Sequence, residues 1–332
     1  MAAASGSCSP PGRPSGAVSE TARRPAHICQ SLAVTEPAQA AVVSLPERRS
    51  PAAAVLVALR PRQWTKNLLL FAGIIFAAEL GDAGRWAAAV AAFVAYCAAS
   101  SAAYLVNDVR DLSSDRIHPV KRARPIARGE LAPRSAIVLA AALTVLALGL
   151  AGALGPLSLA CVVGFLALQA AYSLRLKAVE LVDVLAIAGL FVLRASAGAI
   201  AVDVRISEWL LLCTFLLALF LALGKRRAEL ALDGPRARPV LSGYAPALVD
   251  QLLAIVAAAT IGAYSAYALT AHESGWLVVT VPFVVYGLFR YLLLLHRRGL
   301  GEEPDALLVE DLPLLVTVAA WATTCAVILA LG

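Results

Sequence analysis

The chain has 332 residues, 60% of them apolar and only 15% charged, with a formal net charge of +6. Soluble domains run at about 45–50% apolar and about 25% charged, so this composition excludes an ordinary water-soluble protein. Six cysteines show no C-x-x-C spacing and four histidines no i, i+4 pairing, so no disulfide framework and no thiolate or histidine metal site is expected.

Residues 1–50 are rich in Ala, Ser, Pro and Gly, carry Arg13, Arg23, Arg24, Arg48 and Arg49, and show no helical periodicity; they are expected to form a disordered cytoplasmic tail. No apolar stretch of the kind a secretory signal needs precedes Pro51. Residues 51–332 are expected to form a membrane-embedded domain. Its apolar runs fall at 67–81, 86–106, 135–154, 156–174, 181–201, 207–224, 249–271, 275–295 and 312–331. The first is short, and Ala52 to Leu59 is expected to lie along the interface and feed into it. The runs are continuous rather than alternating, which indicates helices and not barrel strands. The fold class is therefore all-α, a polytopic membrane protein with about nine transmembrane helices.

Topology tests this count. With the tail inside, nineteen Lys and Arg residues fall in inner segments, from Arg60, Arg62 and Lys66 to Arg297 and Arg298, against only Arg85 and Arg205 outside. That asymmetry fixes the orientation by the positive-inside rule and places the C-terminus outward. Outer loops such as Gly152 to Pro156 are short, whereas the inner loops hold nearly all the polar chemistry. The functional site is thus expected on the cytoplasmic face.

The strongest local signal is Asn107-Asp108-Val109-Arg110-Asp111-Leu112-Ser113-Ser114-Asp115, at the inner end of the second span. If the helix continues, Asp108, Asp111 and Asp115 recur at i, i+3 and i+7 on one face. Clustered carboxylates repel one another unless a cation sits among them. Oxygen-only donors favour a hard ion such as Mg²⁺, which keeps several waters and bridges to substrate phosphates. The plainer reading is a solvated helix end with weak surface pairs. A basic run follows directly, from Lys121-Arg122-Ala123-Arg124-Pro125 to Arg128-Gly129. Inner-loop cations also serve topology and anionic lipid. Here Pro119 and Pro125 stiffen the loop and Gly129 lets it turn, so Lys121, Arg122 and Arg124 are candidates for phosphate contact.

These residues resemble the NDxxDxxxD signature of the UbiA-type polyprenyl transferase superfamily. The agreement is closer with the decaprenyl-phosphate phosphoribosyltransferases. It rests on Arg60-Pro61-Arg62-Gln63-Trp64-Thr65-Lys66-Asn67, Tyr104-Leu105-Val106, Tyr172-Ser173 with Lys177 and Asp183, and Gly224-Lys225-Arg226. The resemblance covers roughly residues 55 to 331 and implies a UbiA-type bundle in the bacterial inner membrane. It implies a polar cytoplasmic cavity, open laterally to lipid, with Mg²⁺ on Asn107, Asp108, Asp111 and Asp115. The implied reaction transfers 5-phosphoribose from phosphoribosyl diphosphate to a polyprenyl phosphate, releasing diphosphate, for lipid-linked cell-wall arabinan precursors. The alternative within the superfamily is a prenyltransferase acting on an aromatic or other acceptor. Its members carry a second motif, DxxxD, where this chain has Lys177-Ala178-Val179-Glu180-Leu181-Val182-Asp183.

A phosphate acceptor, largely dianionic because its second pKa lies near about 6, needs positive charge and orientation rather than a general base. Arg62, Lys66, Lys177, Lys225 and Arg226 lie at inner span ends and are candidates for that role, with snorkelling anchors as the alternative. Asp183 begins an apolar helix, where an unpaired carboxylate is expensive, and could bind a second metal or the ribose hydroxyls. Arg194, midway along its span, either contacts a substrate phosphate or pairs with Asp183 or another helix's polar group. Gly189 and Gly198 are expected to permit close helix packing. The acidic loop from Gly299 to Asp311 is read as solvated, in preference to a lid. A transporter, for which internal repeats would be expected, is disfavoured because the charge lies on one side and leaves no outer polar vestibule. The expected partners are phosphoribosyl diphosphate, a polyprenyl phosphate and membrane lipids, with no nucleic acid.

Overall fold

The computed structural model describes residues 48–331 apart from 77–80, 119, 206, 233–238, 271–274, 299–306 and 308–309. Residues 1–47 of the expected tail, Pro119 and most of the acidic loop from Gly299 lie outside the described residues.

Helix α1 (Pro51–Leu59) begins where local cues agree. Ser50 Oγ accepts the Ala53 N–H at 3.3 Å, and Pro51 in the first turn needs no amide donor. It stops at Arg60, whose left-handed φ of 55° costs a non-glycine residue about 1–2 kcal/mol. Here the structure departs from the first expected span. Instead of one helix over 67–81, the chain runs as a 3₁₀ segment, Pro61–Phe71, followed by the short α2 (Ala72–Phe76). A 3₁₀ run of this length has poorly aligned hydrogen bonds and needs outside support. Gly198 supplies it, for any Cβ there would collide with the Leu70 carbonyl, and Gly73 also lies close on the backbone of Ala199. The packing role expected of Gly198 is therefore found, with this segment as its partner.

Helix α3 (Ala83–Arg110) is capped by Asp82, which accepts the Gly84 N–H at 2.7 Å. Its 28 residues extend about 42 Å at 1.5 Å per residue, beyond a hydrocarbon core of about 30 Å. The length lets its final turn, with Asn107 and Asp108, stand clear of the apolar layer. Its buried face is small, with Ala89, Ala92, Ala95, Ala99 and Ala102, which brings α5 close along it. A turn at Asp111 separates it from α4 (Leu112–Ile117). The remaining helices are α5 (Pro133–Leu154), α6 (Pro156–Leu174), α7 (Val182–Ala201), α8 (Glu208–Leu232), α9 (Pro246–Thr270), α10 (Val281–Arg298) and α11 (Leu312–Leu331).

Among the described residues, seven helices are long and apolar enough to cross a membrane: α3, α5 to α9, and α10 with the 3₁₀ turn before it. Nine is thus an approximate count. The first member is the irregular segment just described, and α11 is a further apolar helix. Helix α7 joins the two halves of the bundle. Leu190 and Ala197 pack with α3, α5 and α6, while Val184 packs with α8, α9 and α10. Outward, Val138, Ile255 and Phe289 stand exposed, as lipid-facing side chains should.

Candidate active site

The acidic motif is built by the end of α3 and the loop before α5. Asp108 and Asp115 are both nearly inaccessible, at 3% and 2%. Arg124 Nη1 donates to both, at 3.1 Å to Asp108 Oδ1 and 2.6 Å to Asp115 Oδ2. Arg60 Nη2 donates to the same Asp108 oxygen at 2.5 Å, and its guanidinium lies 4.6 Å from the centre of the Tyr104 ring. The strained backbone at Arg60 is therefore held by an ion pair and a cation–π contact.

The path from Asp108 to Asp115 stays helical in its hydrogen bonds, with Asp111 N–H on the Asn107 carbonyl and Asp115 N–H on that of Asp111. A turn at Asp111 separates the two helical pieces, and Asp108 and Asp115 both face Arg124. Asp111 and Asn107 are half-buried, and no group of three or more His, Cys, Asp or Glu is gathered to hold a metal ion among the described residues. The donor chemistry still fits Mg²⁺, being all oxygen. Asp108 Oδ1 and Asp115 Oδ2 are no farther apart than their two bonds to Arg124 laid end to end, within reach of one cation after side-chain rotation.

The basic loop is fastened from both sides. Ile126 and Leu131 are buried against Ala58, Leu105 and Ala136. Gly129 turns the chain with φ 73°, as expected. Glu130 latches the loop to the chain before α1, accepting from Arg49 Nη1 at 2.9 Å and from the Arg49 backbone N–H, while Arg49 also reaches the Ala123 carbonyl. Burial pushes the Glu130 carboxyl up, but the Arg49 bonds and the Arg128 charge outweigh it and hold it below the usual range. Lys121 is exposed, Arg122 is half-buried, and Arg122 Nε is buried with no hydrogen-bond partner among the described residues.

A second cluster joins α6, α7, α8 and the turn before α9. Asp183 is fully buried, with Oδ2 accepting from Arg226 Nε at 2.6 Å and Oδ1 from the Tyr244 hydroxyl at 2.7 Å. Arg226 also donates to Glu229 at 2.6 Å and to the Tyr172 hydroxyl at 3.2 Å. Tyr244 accepts the Leu181 N–H, where φ is 61°, and burial together with its bond to Asp183 holds its phenol well above the ordinary value. Both oxygens of Asp183, the residue read as able to bind a second metal or the ribose hydroxyls, are thus engaged by side chains of the fold.

Arg194 has its partners elsewhere. Its Nε donates to Asn67 at 2.8 Å, and its guanidinium stacks near Phe165 and Phe191, so it pairs with a polar group of the 3₁₀ segment and not with Asp183. Arg62 is exposed, Lys66 donates to Gln63 at 2.6 Å, and Lys177 and Lys225 are half-buried. The two clusters meet where Arg110 donates to the Ser173 carbonyl, beside Tyr172. Arg60, Glu130, Glu229 and Tyr244 complete these networks without having been singled out as site residues. Only Arg60 carried a signal, its place in the Arg60-Pro61-Arg62 run.

Among the described residues the fold and site define a class of integral-membrane helical bundles with paired acids and arginines gathered at one end. The UbiA prenyltransferase family matches over residues 68–309. The chain belongs to that family. It is 36% identical over 308 residues to the decaprenyl-phosphate phosphoribosyltransferase of Corynebacterium glutamicum, covering 88% of this chain and 92% of the relative. The enzyme of the same name from Mycobacterium tuberculosis is 35% identical over 292 residues, covering 84% and 95%. Among solved structures, a UbiA homologue from Archaeoglobus fulgidus bound to GPP and Mg²⁺ superposes with a TM-score of 0.64 at 21% identity, covering 83% of this chain and 99% of that one. That likeness concerns the fold.

Proposed function

We propose that this protein transfers 5-phosphoribose from phosphoribosyl diphosphate to a polyprenyl phosphate, with Mg²⁺, at the cytoplasmic face of a bacterial inner membrane. One observation carries the reading: two buried carboxylates and two guanidiniums share a few ångströms at the end of α3, directly under a loop of further cations. Such an arrangement suits a metal with a polyanion. The names of the relatives supply the substrates.

Asn107, Asp108, Asp111 and Asp115 would hold the metal, which when bound neutralises charge developing on a departing diphosphate. Lys121, Arg122 and Arg124 orient the donor's phosphates. Arg62, Lys66, Lys177 and Lys225 draw the lipid phosphate to the same side. As the ribosyl C1–O bond to diphosphate breaks, an oxygen of the lipid phosphate forms the new bond to C1. The acceptor is already ionised, so no side chain need remove a proton. The tie of Asp183 to Arg226 and Tyr244 disfavours the alternative of a prenyl diphosphate donor held between two metal sites. The test is label transfer in proteoliposomes. Radiolabelled phosphoribosyl diphosphate, Mg²⁺ and a polyprenyl phosphate should yield an organic-soluble labelled product, and chelation of the metal should abolish it.

A further inference from the structure

Two buried carboxylates cannot be left without positive charge, since an uncompensated buried ion is strongly unfavourable. Arginine supplies that charge here. The same Arg124 nitrogen bonds Asp108 and Asp115, and Asp108 Oδ1 accepts from Arg60 as well. The oxygen most central to the motif is thus already shared between two cations.

We propose that Arg124 is an exchangeable counter-ion of the acidic motif, which keeps Asp108 and Asp115 closed to a bare divalent cation and yields them only to a metal–diphosphate complex. The proposal rests on reading the motif as a metal–diphosphate site and adds the condition under which it loads. A bare cation must expel charge-assisted bonds while shedding water, which Mg²⁺ does reluctantly. A cation carrying diphosphate brings new acceptors for the displaced guanidinium, whose planar fork matches phosphate oxygens. Arg124 is placed to make that exchange. Its side chain is 28% exposed, it sits on a loop rather than a helix, and Pro125 behind it limits the backbone so that the side chain moves. Arg60 has less freedom, being held in the left-handed region and against Tyr104. Metal and donor are therefore expected to bind together.

Binding of Mn²⁺ to the full-length protein in nanodiscs, followed by loss of the free-ion electron paramagnetic resonance signal, tests this without turnover. Wild type should bind Mn²⁺ alone weakly and at least about tenfold more tightly with inorganic diphosphate. Arg124→Gln should bind Mn²⁺ alone at least about tenfold more tightly than wild type and lose most of the gain from diphosphate. Arg60→Gln, a second variant in case the first folds poorly, should shift Mn²⁺ affinity the same way. Arg134→Gln, an exposed arginine in the first turn of α5, removes one charge next to that loop and should change neither. Unchanged Mn²⁺ affinity in Arg124→Gln and Arg60→Gln, or an equal gain in Arg134→Gln, would overturn the proposal. If diphosphate-dependent binding in wild type still requires Asp108, the metal–diphosphate reading stands despite that failure. If Asp108→Asn binds as wild type does, both fall.

Discussion

Asp108 lies between two guanidiniums and Asp183 between a guanidinium and a phenol, and the proposed function gives the two aspartates opposite uses. The partners of Asp108 reach it from a loop and from a strained residue, each about a quarter exposed. Asp183 is sealed, with Arg226 at 1% exposure. Substitution should separate them. Asp108→Asn is expected to cut turnover by on the order of 10²–10³-fold while the thermal unfolding profile stays close to wild type. Asp183→Asn leaves Arg226 with one fewer anion in the interior and is expected to cost about 3–5 kcal/mol of stability, read as a lowered unfolding temperature. A stable, inactive Asp183→Asn would instead make that carboxylate part of the chemistry. The acids themselves were visible in the sequence through their spacing. Their partners were not, because Arg60, Arg124 and Tyr244 are 48, 16 and 61 residues from the carboxylates they bind, and no local pattern records such pairings.

At the level of elements, α3 and α5 to α10 could be read from continuous apolar runs bounded by charge. The segment from Pro61 to Phe71 could not. Its composition promises the start of a span, but its conformation is set by contact with α7 at Gly198 and by buried Asn67 beneath it. Gly198→Ala should therefore displace Leu70 and the bond between Asn67 and Arg194, with a loss of about 1–3 kcal/mol in thermal or denaturant unfolding. The loop before α5 carries its own test. The Glu130 carboxyl is held below its unfolded value of about 4.3, so the latch to Arg49 contributes stability above that pH and loses it as pH falls through the folded value. Glu130→Gln should melt below wild type at neutral pH, and the difference should close on acidification toward pH of about 3. A difference that widens in acid would contradict the latch.

Across the whole molecule, the excess of basic residues first reads only as a membrane protein's topology. In the folded chain part of that excess is committed to named anions. Arg60 and Arg124 hold the acidic motif, Arg226 holds Asp183 and Glu229, and Arg290 forms a two-point pair with Asp311 at the start of α11. Lys121 and Arg62 stand exposed. Family membership places the chain among the UbiA prenyltransferases, and the choice of donor is what the proposed function adds. The decisive measurement gives the reconstituted protein radiolabelled phosphoribosyl diphosphate in one reaction and a radiolabelled prenyl diphosphate in another, each with Mg²⁺, and with polyprenyl phosphate or an aromatic acceptor respectively. The account predicts organic-soluble label from phosphoribosyl diphosphate and polyprenyl phosphate, lost in Asp108→Asn. Prenyl transfer to the aromatic acceptor, with no label leaving phosphoribosyl diphosphate, would contradict it.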